Sequence, residues 1–116
     1  MNKLKEIREL LVDLYGCKGN LDDAKFLTTL LKNAAQEMGS KIVKTVSHKF
    51  SPTGTTVILI LAETHMAIHT WPEHQYVALD IFICSEEIEP EIGWQAVREV
   101  LNPSSFKIHK LTRKIQ

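Results

Sequence analysis

Residues 57–84 read VILILAETHMAIHTWPEHQYVALDIFIC, and this stretch decides the fold. Val57 to Leu61 is a continuous apolar run rich in β-branched residues, the composition of a central, well-buried strand. Residues from about His65 to Thr70 form a second strand, stopped by Trp71-Pro72-Glu73. Tyr76 to Cys84 is a third, and its alternation puts Tyr76, Ala78, Asp80, Phe82 and Cys84 on one face. Val77, Leu79, Ile81 and Ile83 fall on the opposite face, so both sides are expected to be at least partly buried.

Working outward, residues 41–50 (KIVKTVSHKF) read as a strand with Ile42, Val46 and Phe50 on one side, ended by the turn Ser51-Pro52-Thr53-Gly54. Before it lies the clearest helix. Asn20 is its expected N-cap, Asp22 and Asp23 suit the positive end of its dipole, and Gly39 stops it. Ala24, Leu27, Leu30, Leu31, Ala34, Ala35 and Met38 recur along it at helical spacing, so one broad stripe must cover a core. Residues 8–15 (RELLVDLY) predict a first strand ending at Gly16-Cys17. On the other side, Pro90 to Leu101 predicts a short helix with Trp94, Val97, Val100 and Leu101 inward, and Phe106 to Leu111 a last strand. The order β-α-β-β-β-β-α-β implies an α+β domain, a two-layer sandwich with two helices packed on one face of a mainly antiparallel sheet. No internal boundary interrupts residues 1–116, so a single domain is expected.

Lysine plus arginine, 14, balance aspartate plus glutamate, 14, so no strong field draws the chain to nucleic acid or an anionic membrane. The basic residues Lys107, Lys110, Arg113 and Lys114 read as a solvated, partly frayed end. The apolar run Leu10-Leu11-Val12 is broken at Asp13, too short for a signal-peptide core, and no other stretch is long enough to span a bilayer. A cytoplasmic address is expected, where Cys17 and Cys84 stay free thiols; a disulfide between them is the less favoured alternative.

Taken singly, the polar residues of the central stretch invite plain readings. His65 and His69 have the spacing of a zinc pair on a helix, but on a strand four residues span about 13 Å, and no metal site is expected. Cys84 alone reads as a small buried hydrophobe, and Trp71 and Tyr76 as core or interface. Taken together, ETHMAIHTWPEHQYVALDIFIC closely resembles the motif region of the bacterial-type S-adenosylmethionine decarboxylases: a Glu-Ser-His block, then His-Thr-Trp-Pro-Glu, then a strand with Asp and a following Cys. His48-Lys49-Phe50 and the turn from Pro52 to Gly54 fit upstream, and the resemblance spans about residues 8 to 110.

The resemblance implies a proenzyme that cuts itself at a Glu-Ser bond and leaves a pyruvoyl ketone on the new N-terminus. That ketone forms a Schiff base with S-adenosylmethionine and draws off electrons as carbon dioxide leaves, yielding the aminopropyl donor for spermidine synthesis, with no external cofactor and no metal. By motif position Glu63 supplies the carbonyl to be cut and Thr64 takes the serine's place. His69 matches the histidine that moves a proton during processing, Thr56 a serine that assists it, and Cys84 the general acid of decarboxylation. Phe50 is a candidate to stack on the adenine and Trp71 to approach the sulfonium; core packing is the competing reading of both. The resemblance also implies a homodimer.

Two departures keep alternatives open. Threonine at position 64 retains a hydroxyl, but its methyl restricts χ1 and crowds the carbonyl to be attacked, and its product would be 2-oxobutyryl. The family's Gly- and His-containing N-terminal block is absent near Ile7, Arg8 and Glu9. A non-processing paralogue that binds a ligand or partners an active subunit, and a decarboxylase of ornithine or arginine, therefore stand beside the main reading. One expectation is geometric: Thr64 and His69 differ by an odd number, so one straight strand points them to opposite faces, and the chemistry requires a bend near residue 64.

Overall fold

Six strands and two helices follow one another in the computed structural model, which describes residues 5–115; the ends of the expected domain, residues 1–4 and 116, lie outside the described residues. The elements are β1 (Lys5–Tyr15), α1 (Ala24–Glu37), β2 (Ile42–Lys49), β3 (Thr55–Leu61), β4 (Thr64–Trp71), β5 (Tyr76–Ile83), α2 (Pro90–Leu101) and β6 (Ser105–Ile115). All strands join one sheet in the order β2-β3-β4-β5-β1-β6, and every neighbouring pair is antiparallel. The α+β architecture and the element order expected from the sequence are those observed.

Alternation decides which side each residue serves. Leu10, Val12 and Leu14 of β1, Val57, Leu59 and Leu61 of β3, Met66 and Ile68 of β4, and the odd residues of β5 form one face and are all buried. The stripe of α1 (Leu27, Leu30, Leu31, Ala34, Ala35) and Trp94, Val97 and Leu101 of α2 close over that face in a single core. The second face, with Ile58 and Ile60, His65, Ala67 and His69, and Asp80 and Phe82, has no helix over it among the described residues. Ile60 is 43 % exposed, so β3, one strand in from the sheet edge, is paired on both sides but covered on one face only, short of the central, well-buried place its unbroken apolar run predicts.

Other differences from expectation are local. Helix α1 is capped by Asp23, whose carboxylate accepts from the N–H groups of Lys25 and Phe26, and not by Asn20; Asp23 is the residue with extended backbone immediately before the first helical turn. In β2 the register shifts between Ile42 and Lys44, a bulge that leaves Ile42 paired with Leu61 on the core side but turns Val46 and Phe50 to the open side. The expected common face of these three residues is therefore split. Val100 is 49 % exposed on the outer side of α2. The basic C-terminal stretch is exposed but not frayed: β6 runs to Ile115, paired along β1, with Lys110 against Glu91 and Arg113 against Glu9.

Leu59→Ala, at a side chain with no exposed surface, is expected to cost about 2–5 kcal/mol in urea unfolding. Val100→Ala, at the surface of α2, is expected to cost less than about 0.5 kcal/mol.

Candidate active site

Strands β3 and β4 meet in a two-residue turn, Ala62-Glu63, closed by the pair Leu61 and Thr64. Thr64 has φ +138°, a backbone state that a β-branched residue rarely adopts and that costs on the order of 1–3 kcal/mol. Regular strand geometry is interrupted here, yet the register still sets Thr64 and His69 to opposite faces, so this interruption does not join them as the expected bend would. The Thr64 hydroxyl is buried with no hydrogen-bond partner, a condition shared among the described residues by the Thr55 hydroxyl alone. Thr55 has no such backbone, so among the described residues strain and an unpartnered buried hydroxyl coincide at Thr64 alone.

The peptide ahead of Thr64 is held firmly. The pairing of Thr64 with Ile83 draws the next residue alongside, and the Cys84 N–H donates to the Glu63 carbonyl at 2.9 Å. That N–H sits on the oxygen that would take up negative charge if a hydroxyl added to the carbonyl carbon. The Ala62 N–H donates to the Lys41 carbonyl at 2.9 Å, and the Ser40 hydroxyl to Glu63 Oε1 at 2.5 Å. Both cysteines are free. Burial pushes the Cys17 thiol up to about 11, whereas Cys84 is only partly buried.

A second group lies at the opposite end of β4. Thr56 and His69 are direct cross-strand partners, and Thr56 Oγ1 lies 2.8 Å from His69 Nδ1, which leaves Nε2 as the free ring nitrogen. They line a cleft of about 380 Å³ with Phe50, Trp71, Thr53 and Glu73. Phe50 is 50 % and Trp71 43 % exposed, so neither is core and the packing reading fails for both. Phe50 meets His48 edge-on at 4.7 Å, and Trp71 tilts against Tyr76 at 5.3 Å.

The turn that presents Phe50 is clamped by Asp22, which accepts from the Gly54 N–H at 2.9 Å and pairs with Lys49 at 2.8 Å. Gly54 has φ +107°, and a Cβ there would lie 3.1 Å from the Thr70 carbonyl. The hydrogen bond from Lys49, then that from Gly54, holds the Asp22 carboxyl below its usual value. Sequence reasoning gave Asp22 to the helix dipole, since nothing local links it to a turn thirty residues on.

The expected site residues thus form two groups. The Glu63–Thr64 peptide meets the backbone N–H of Cys84, and Thr56, His69, Phe50 and Trp71 line one cleft. The groups are five residues apart along β4, about 16 Å, and Thr64 registers with the core face whereas His69 registers with the open one. Between them on the open face lies Asp80, whose carboxyl is raised by burial against the opposing pull of His69 and His65. Asp80 and Ser40 were not singled out from sequence; the alternation of β5 does place Asp80 on this face, but nothing local links Ser40 to Glu63. Among the described residues no group of three or more His, Cys, Asp or Glu side chains is arranged to hold a metal ion, and no helix is long and apolar enough to cross a membrane.

A family model described as S-adenosylmethionine decarboxylase matches residues 8–114. The chain belongs to the S-adenosylmethionine decarboxylase family. It is 39 % identical over 107 residues to the S-adenosylmethionine decarboxylase proenzyme of Methanococcus aeolicus, covering 91 % of this chain and 92 % of that one. It is 38 % identical over 107 residues to the proenzyme of the same description from Syntrophomonas wolfei, covering 91 % and 85 %. The crystal structure of the adenosylmethionine decarboxylase from Aquifex aeolicus superposes with a TM-score of 0.89 at 27 % identity, over 99 % of this chain and 95 % of that one.

The Asp22 clamp has a pH signature. A carboxyl held low in the folded state adds stability above its unfolded pKa, and that stability is lost as pH falls through the folded value. Asp22→Asn is expected to lower the urea midpoint near pH 7, and the gap to the parent is expected to close as pH falls through and below about 3.9.

Proposed function

We propose that this chain cuts itself between Glu63 and Thr64 and then decarboxylates S-adenosylmethionine, yielding the aminopropyl donor for spermidine synthesis. The observation that carries the reading is Thr64, a strained residue whose buried hydroxyl has no partner, beside a carbonyl already engaged by the Cys84 N–H. An unpartnered buried hydroxyl forfeits about 1–3 kcal/mol, and attack on the neighbouring carbonyl gives that atom a use.

In the cut, Thr64 Oγ1 bonds to the Glu63 carbonyl carbon and gives its proton to His69. The C–N bond breaks, the nitrogen takes a proton, and the amide becomes an ester. Loss of the Thr64 Cα proton with cleavage of the Cβ–Oγ1 bond then frees Glu63 as a carboxylate. Water displaces the nitrogen as ammonia and leaves a 2-oxobutyryl group on the second fragment. The orphaned hydroxyl and the strained backbone at this one position fit the making of such a group. When formed, that ketone supplies an electron sink for decarboxylation of a bound amino acid.

The other residues serve binding and proton transfer. Thr56 holds His69 through Nδ1, so that Nε2 does the proton work. Cys84 returns a proton to the substrate's α-carbon. Phe50 and Trp71, both exposed and lining the cleft, offer a stacking surface for adenine and a π-face for the sulfonium. The free thiols support a cytoplasmic address.

The separation of His69 from Thr64 leads us to assign the working imidazole to a second copy of the chain. In a two-fold homodimer the imidazole of one chain would serve the hairpin tip of the other, where the positive φ at Thr64 breaks the strand. Val46, Ile60 and Leu111, all at least 43 % exposed on the open face, support its being covered.

The purified chain is expected to yield two fragments meeting at Glu63 and Thr64 on a denaturing gel and by intact mass, the second without a free amine. Thr64→Ser is expected to cut at least tenfold faster, and Thr64→Val not at all. A full-length chain that persists in both the parent and Thr64→Ser, with no carbon dioxide released from S-adenosylmethionine, would overturn the reading. The shared site has its own test. Thr64→Val and His69→Ala chains are each expected to stay uncut alone, while co-expression restores cutting of the His69→Ala chain; no rescue would place both groups in one subunit.

A further inference from the structure

The turn that carries the scissile peptide is tied at three points, and two of the ties come from residues with no part in the chemistry above. Helix α1 ends in a left-handed Gly39 (φ +77°), where the Ser40 N–H donates to the Ala35 carbonyl at 3.0 Å. This ending turns the chain so that Ser40, only 6 % exposed, directs its hydroxyl to Glu63 Oε1 at 2.5 Å. The next residue, Lys41, takes the Ala62 N–H on its carbonyl. Helix α1 thereby grips the turn from one side, while the Cys84 N–H grips the Glu63 carbonyl from the other.

We propose that Ser40 is a positioning residue for cleavage of the Glu63–Thr64 peptide, a role that rests on the self-processing reading above. Two-residue hairpin tips are ordinarily mobile. An acyl shift needs the hydroxyl oxygen and the carbonyl carbon held near contact distance along a narrow approach, and small displacements are costly. The branched side chain at 64 narrows that approach further. Fixing Glu63 by both its backbone oxygen and its carboxylate leaves its peptide plane little freedom to rotate away from the Thr64 hydroxyl. A hydrogen bond to a carboxylate is among the stronger ties available for this.

The test is a double-mutant cycle on cutting rate, read as fragment appearance on a gel, in the parent and in the Thr64→Ser background. Ser40→Ala and Glu63→Ala are each expected to slow cutting roughly tenfold. The double variant is expected to be no slower than either single one, because the two side chains act through one bond. Glu63→Gln keeps an acceptor for the Ser40 hydroxyl and is expected to cut near the parent rate. An unchanged rate in Ser40→Ala, or its full slowing on top of Glu63→Ala, would overturn the proposal alone. If Ser40→Ala does not fold, as judged by circular dichroism, the contrast between Glu63→Ala and Glu63→Gln decides, and equal rates overturn it. No cutting in either background would remove the self-processing reading and this role with it.

Discussion

The hydrogen-bonded register between β4 and β5 is the constraint on which the rest depends. It sets Thr64 against Ile83, so the Cys84 N–H falls on the Glu63 carbonyl. It also sets His69 against Ala78 and Trp71 against Tyr76. A slip of one residue would expose Ile81 and Ile83, bury Asp80, and move the donor away from the carbonyl in the same step. Core packing therefore enforces site geometry: buried side chains that never touch the reacting atoms hold the ladder in the one alignment that brings them together.

Antiparallel alternation then partitions the molecule. One face of the sheet is spent on the core with α1 and α2, and the other carries His65, His69, Asp80 and the row that continues to His48 and Lys107. Position 64 lies at the seam, where a positive φ interrupts regular strand geometry. The two reactive groups, one at each end of β4, are too far apart to serve each other within one chain, and the proposed two-fold pairing turns that distance into a shared site. A raised Asp80 carboxyl between two histidines in mid-face is consistent with a surface whose polar groups are arranged for something other than bulk water.

Much of the candidate site was legible because its residues are close in sequence and lie on strands, where spacing translates directly into position. Thr56 and His69 were each legible by motif position, while their partnership comes from the register of β3 against β4. Ser40 and Asp22 were not legible. Each acts on a residue more than twenty positions away, through a contact made only when α1 docks on the sheet. The bulge in β2 was hidden as well, because one extra residue reverses the facing of Val46 and Phe50 without changing the composition of the strand.

By itself the sequence determined the element order, the inward stripe of α1, the two faces of β5 and the family, since these rest on short-range periodicity and on a contiguous motif. Only the tertiary structure decided that Phe50 and Trp71 are exposed beside His69, that the Thr64 hydroxyl is buried without a partner, and that the expected catalytic residues divide between the two ends of one strand. The physical reason is that burial and hydrogen-bond satisfaction are properties of what packs from elsewhere in the chain, and periodicity along a segment carries no record of its neighbours.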